Sequence, residues 1–272
     1  MIRESARSLE GRTILVTRPA ERSQRLVELL DRRGARAIVA PTIAIRPVHS
    51  TELTRALLSL AAGDFEWIVL TSPATVAVLA ERLESPIDVR AQVAAIGDGT
   101  ADAFSRWAER PADLQPTSST TKALARALPR GTGRVLCARA DIAPQGLEDS
   151  LASKGWDPTR VDAYRTTFPK RLPKVASQAL ARGEVDAITF TSASTVRGFV
   201  GATGTEPSGG DRRRPKNVCI GPVTSKEARA HGLTVHSVAD PHTTDGLVVA
   251  LERVFTPRTG GKRRADPDQS SG

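Results

Sequence analysis

Six places in this 272-residue chain put a hydroxyl or a glycine directly after an apolar run, at the start of a helical pattern. They are Thr17, Thr71 with Ser72, Gly97 with Thr100, Thr191 with Ser192, Gly221 with Thr224, and Thr243 with Thr244. One chemistry suits that placement. Helix N-termini carry unpaired N–H groups and partial positive charge, so such turns can receive carboxylates with few formal charges. The same residue types also cap helices. Ser72 before Pro73 is a cap-then-proline start, and Thr224 with Glu227 fits a capping box. Capping alone explains any single turn; the binding reading draws on their number.

Other chemistries find little support. There is no GxxxxGK[ST] loop, and neither "GDGTAD" nor "GTGRVL" makes a dinucleotide fingerprint. The four histidines, His49, His231, His236 and His242, show no ligand spacing, so no metal is expected. Cys137 and Cys219 lie inside apolar runs and read as small core residues. No covalent catalyst stands out.

The elements that must position these turns alternate almost without a break. Short apolar runs such as "TILVT", "WIVLTS", "RVLCAR" and "AITFTS" are followed by helical patterns such as "AERSQRLVELLDRRG", where Leu26, Leu29 and Leu30 share a face. This alternation predicts an α/β fold with parallel sheet covered on both faces. The pattern also occurs twice. "WIVLTSPATV" parallels "AITFTSASTV", "VAAIGDGTADA" parallels "VCIGPVTSKEA", and "TTKALARAL" parallels "TTDGLVVAL". "GRTILVTRPA" parallels "GRVLCARADIA", which makes residues 11–128 and 133–252 two copies of one unit, permuted by one step. Two similar lobes facing a shared cleft follow, with a break near residue 130.

The net charge of +9 is concentrated in three segments without periodicity. Residues 1–12 carry +1, and residues 202–216 and 256–272 carry +2 each, five charges in all. Residues 202–216 and 257–272 are therefore expected to be flexible additions. The rest is mildly basic, and with 4% aromatics there is little for base stacking, so no nucleic-acid partner is expected. The first residues hold no apolar segment, and no run approaches the ~20 residues of a membrane span, so a soluble cytoplasmic protein is expected.

The motifs "ILVTRP", "VLTSPATV", "AAIGDGTADA", "RVLCARAD", "VDAYRT", "ITFTSASTV", "CIGPVTSKEARAHGL" and "DPHTTDGLVVAL" occur in one order. Together they make the chain, from about Gly11 to about Phe255, resemble the uroporphyrinogen-III synthase family. Ala74 departs from that pattern, and "RADIAPQGL" is a variant of it. The resemblance implies two similar domains, each a small parallel sheet flanked by helices. One would hold 1–45 and 168–272, the other 50–162, with a two-segment hinge at 46–49 and 163–167. It implies a cofactor-free reaction on hydroxymethylbilane: loss of the terminal hydroxyl as water, a spiro intermediate, and closure with the last pyrrole inverted. A monomer is expected.

The resemblance also suggests roles. Tyr164, the only tyrosine, becomes the candidate acid for the leaving hydroxyl; the other reading is an interdomain packing aromatic. Thr100, Ser192 and Thr243 match substrate-side positions. Arg18 and Arg139 occupy equivalent places in the two repeats, where either could meet a carboxylate or lie solvated on the surface. Two other readings stay open: a non-catalytic two-lobe binding protein, and a regulator on the same fold.

Overall fold

The computed structural model describes residues 7–83, 85, 89–204 and 214–256. The 257–272 segment, and residues 205–213 of the other segment expected to be flexible, lie outside the described residues. The flanks of the latter are ordered elements. Helix α8 (Ala193–Thr203) runs through Ala202 and Thr203, where the Gly204 N–H bonds back to the Val200 carbonyl, and Lys216 opens strand β9 (Lys216–Cys219).

Two five-stranded sheets are formed. The first has β1 (Thr13–Val16), β2 (Arg36–Val39), β8 (Ala187–Phe190), β9 and β10 (Val235–Val238), in the order β10-β9-β8-β1-β2 and parallel throughout. The second has β3 (Ala44–Pro47), β4 (Trp67–Leu70), β5 (Gln92–Ala95), β6 (Arg134–Ala140) and β7 (Asp157–Thr167), in the order β3-β7-β6-β4-β5. The order repeats: β2-β1-β8-β9 in one sheet answers to β7-β6-β4-β5 in the other. Register agrees as well, since Ile14 pairs with Ala187 as Val135 pairs with Trp67. Each 11–128 or 133–252 copy nonetheless sends strands to both sheets. The break near residue 130 is therefore no structural boundary; Gly131 is packed against Trp156 inside the second lobe.

One strand departs from the all-parallel expectation. β3 runs antiparallel to β7, with Ala44 opposite Thr167 and Pro47 opposite Tyr164. The chain enters the second sheet through β3 and leaves it through the end of β7, so the incoming and outgoing strands run in opposite directions and pair directly.

Alternate residues of each central strand serve opposite faces, as parallel sheets require. Ile68 and Leu70 pack under α2 (Thr51–Ala62), α3 (Pro73–Arg82) and α4 (Asp98–Ala108). Trp67 and Val69 face α5 (Thr121–Ala127) and α6 (Gly146–Ala152). In the first sheet Leu15 faces α7 (Lys174–Arg182), α8 and α9 (Pro222–Ala230). Ile14 and Val16 face α1 (Gln24–Arg32), where Leu26, Leu29 and Leu30 are buried as the periodicity predicts, and α10 (Thr244–Phe255). Burial pushes the Cys137 and Cys219 thiols up to about 12, which suits inert core residues. No described helix is long and apolar enough to cross a membrane.

Candidate functional site

A cavity of about 260 Å³ opens between the lobes, at the carboxyl ends of the strands. The second lobe contributes Pro73, Ile96, the turn at 97–100 and residues 118–120; the first contributes Thr191, the turn at 220–224 and His242. The helix starts around it are not alike. α3, α5, α8 and α10 are capped by Ser72, Thr120, Ser192 and Thr243, whose hydroxyls accept from the N–H groups of Ala74, Ala123, Thr195 and Gly246. α4 and α9 begin at Gly97 and Gly221 and have no side-chain cap. These two equivalent starts therefore present first-turn N–H donors that no cap residue occupies. Neither glycine is required by φ, which is extended at 175° and −170°. Space requires Gly97: a Cβ there would lie 2.2 Å from the Ser119 Oγ.

This sorts the residues singled out in the sequence. Gly97, Thr100, Thr191, Gly221 and Thr224 line the cavity. Thr224 is the third residue of α9 rather than the start of a capping box, because the helix begins at Pro222. Ser72, Ser192 and Thr243 are bound up in capping, Ser192 in a reciprocal box with Thr195. Thr71 is half-buried beside Ser72. Thr17 is not exposed to a ligand: it is fully buried and donates to the Thr189 carbonyl at 2.7 Å, tying β1 to β8. Ser192→Ala should lower stability by about 1 kcal/mol through the lost cap. Urea unfolding checks this, and an unchanged midpoint would contradict the cap assignment.

The two equivalent arginines part company. Arg139 is 3% exposed, and its guanidinium lies 2.9 Å from both Glu148 oxygens and from the Pro144 carbonyl. It is engaged by its own lobe rather than open to a substrate carboxylate or solvated on the surface, which corrects both expectations for it. Val27 stands at the same spacing after Arg18, so Arg18 has no such partner. Its Nη1 makes a 3.4 Å contact with the Thr244 hydroxyl, and its Nε is buried without a partner. Arg22, which sequence reasoning missed, follows in the short turn at Ala20–Arg22. Burial and the neighbouring Arg22 guanidinium push Arg18 below the usual arginine value, and burial does the same to Arg22. Glu21 acts favourably on Arg22, whereas Arg18 has the Arg22 guanidinium as its charged neighbour and no hydrogen-bonded carboxylate among the described residues, so the pair keeps an excess of positive charge. The available signal was the four-residue spacing of the two arginines after β1.

Arg22 reaches across the lobes electrostatically to Tyr164. Tyr164 is 7% exposed, with its ring among the residues under α2 and α3. Burial pushes the phenol above the ordinary tyrosine range, while a hydrogen bond with Ser72 and the charges of Arg22 and Arg139 pull it back. The phenol therefore stays protonated through neutral pH, with the charges of Arg22 and Arg139 near it.

A second opening of about 500 Å³ lies at the opposite, amino-terminal edge of the first sheet, around Arg12, Asp186 and Asn217. It contains none of the turns described, and Arg12 there is paired with Asp186 at 2.9 Å.

Paired parallel sheets whose strand ends open onto one cavity define a two-lobed α/β ligand-binding protein. A family profile described as "Uroporphyrinogen-III synthase HemD" matches residues 24–249. The uroporphyrinogen-III synthase of Synechococcus elongatus is 30% identical over 256 residues, covering 90% of this chain and 96% of the relative. A putative uroporphyrinogen-III synthase of Methanothermobacter thermautotrophicus is 31% identical over 260 residues, 87% and 96% of the two chains. The chain belongs to the uroporphyrinogen-III synthase family, and so to tetrapyrrole biosynthesis. The fold agrees with a crystal structure of a mutant Thermus thermophilus uroporphyrinogen III synthase, at a TM-score of 0.64 and 22% identity over 90% of this chain and 98% of that one. It also agrees with the Helicobacter pylori uroporphyrinogen-III synthetase, at 0.57 and 15% over 89% and 99%.

Proposed function

We propose that the chain converts hydroxymethylbilane to uroporphyrinogen III, as a cytoplasmic monomer, without cofactor, nucleic acid or membrane. The observation that carries this reading is the pair of uncapped helix starts, α4 and α9, facing one cavity in a member of this family. Their N–H groups, with the Thr100 and Thr224 hydroxyls, receive acetate and propionate groups. Arg18 and Arg22 receive a further carboxylate on the first lobe, where Glu21 offsets only part of their charge. The first lobe, 1–45 with 168–272 in the sequence reading, and the second, 50–162, move as two bodies. Ala44–Pro47 and Tyr164–Thr167 pair within the second sheet, so the bend falls on the first-lobe side of that ladder. Closing the cleft folds the linear tetrapyrrole end to end. Tyr164 gives its proton to the departing hydroxyl, the C–O electron pair leaves as water, and the electron-rich pyrrole supplies the push. Positioning then decides which carbon of the last ring attacks.

The test is consumption of hydroxymethylbilane by protein dialysed against a chelator. Turnover well above the spontaneous closure, unchanged by dialysis, is expected. Consumption at the spontaneous rate would leave a binding protein.

A further inference from the structure

Two ionisable groups line the interlobe cavity among the described residues: Asp98 at the start of α4 and His242 after β10. The α9 turn, the α3 start, Thr191 and residues 118–120 add none. Asp98 already accepts a hydrogen bond from the Gln115 side-chain amide. His242 lies against Gly221, where an added Cβ would stand 3.4 Å from the imidazole Cγ. Its Nδ1 is 2.8 Å from the Ala239 carbonyl oxygen. A carbonyl can only accept, so Nδ1 carries the proton and the neutral ring holds its lone pair on Nε2. Nε2 has no hydrogen-bond partner among the described residues, and the side chain is exposed in the cavity wall.

The cyclisation needs a base at its last step. Expelling the hydroxyl as water consumes one proton. When the inverted ring recloses, its unsubstituted α-carbon bonds to the methylene carbon, and the C–H electron pair returns to the pyrrole. One proton must leave that carbon, so the whole reaction loses only water. We propose that His242 Nε2 accepts this proton. The assignment rests on the cyclisation reading and adds to it a second catalytic residue, on the opposite lobe from Tyr164. The imidazolium keeps its Nδ1–H on the Ala239 carbonyl and returns the proton to solvent. A neutral base, oriented by a carbonyl at its far nitrogen and placed in the wall of the cavity, has the arrangement this step requires.

The experiment uses the full chain with hydroxymethylbilane. His242→Asn keeps an amide N–H where Nδ1 donates and removes Nε2; His242→Gln does the reverse. His242→Asn should lower kcat about 10–10²-fold, because water takes the proton less well. KM should change little and the product should remain isomer III. With substrate deuterated at that α-carbon, the isotope effect on kcat should grow in the variant, because the C–H proton transfer becomes slower. Parent-like kcat and isotope effect in both variants would overturn the proposal. A lower kcat with an unaltered isotope effect would overturn it too, since that marks support of the loop and not the lone pair. Parent protein that makes isomer I alone would remove the cyclisation reading itself, and the proposal with it; that result is read on the parent and not on the variants.

Discussion

Tyr164→Phe should lower kcat by about 10–10³-fold, roughly 1.4–4 kcal/mol of transition-state stabilisation, with the fold intact. The phenol ring is 7% exposed among the residues under α2 and α3, and Phe preserves that packing. What Phe removes is the hydroxyl beside Ser72 and within the field of Arg22. The loss should be partial, because a pyrrole expels hydroxide readily and water in the cleft can supply a proton. The pH dependence has a definite sign. An acid catalyst works in its protonated form, and burial holds Tyr164 protonated beyond the ordinary tyrosine range. On its alkaline side the parent rate should therefore fall only when the solution is strongly alkaline, and that limb should be absent from the Phe variant. Full activity in Tyr164→Phe would reduce the residue to packing. A variant that made mainly isomer I would assign it instead to holding the spiro geometry.

Glu148→Ala should cost about 3–5 kcal/mol of stability, lowering Tm by roughly 6–20 °C. Glu148 and Arg139 are buried to 6% and 3% side-chain exposure, and among the described residues Glu148 is the only acidic group paired with Arg139. Arg160 stands 4.0 Å from the same carboxylate. Truncating Glu148 strands a buried guanidinium whose Nε already lacks a partner. An Arg139→Met, Glu148→Leu double variant should recover much of the loss, since apolar side chains of similar volume replace buried pairs at little cost. KM of the double variant should match the parent if Arg139 is structural. A loss under ~1 kcal/mol in Glu148→Ala would show that the pair is solvated.

Much of the fold was legible in the sequence because strand and helix periods alternate and because the unit repeats. Ile14 and Val135 have the same place in their sheets, and "WIVLTS" and "AITFTS" end at the same cleft. The sequence could not show that each copy divides between two sheets, since periodicity records local structure and not strand partners. At the site, the turns after β5 and β9 were found because glycine and hydroxyl types mark them. Their rank was hidden: what distinguishes Gly97 and Gly221 from the Ser72, Ser192 and Thr243 starts is a side-chain cap that is lacking, visible only once helix starts are fixed. Arg18 and Arg139 looked interchangeable in one dimension. A glutamate at one position and Val27 at its counterpart gave them opposite surroundings. Arg22 and His242 were missed because their meaning depends on the lobe opposite and on a single backbone carbonyl.

The central claim is that this cleft folds a linear tetrapyrrole so that its last ring inverts. Isomer analysis of the product formed from hydroxymethylbilane tests it most directly, because spontaneous closure without a template gives isomer I. The account predicts isomer III as the dominant product, with its share rising with protein concentration. Isomer I alone, at any protein concentration, would contradict it.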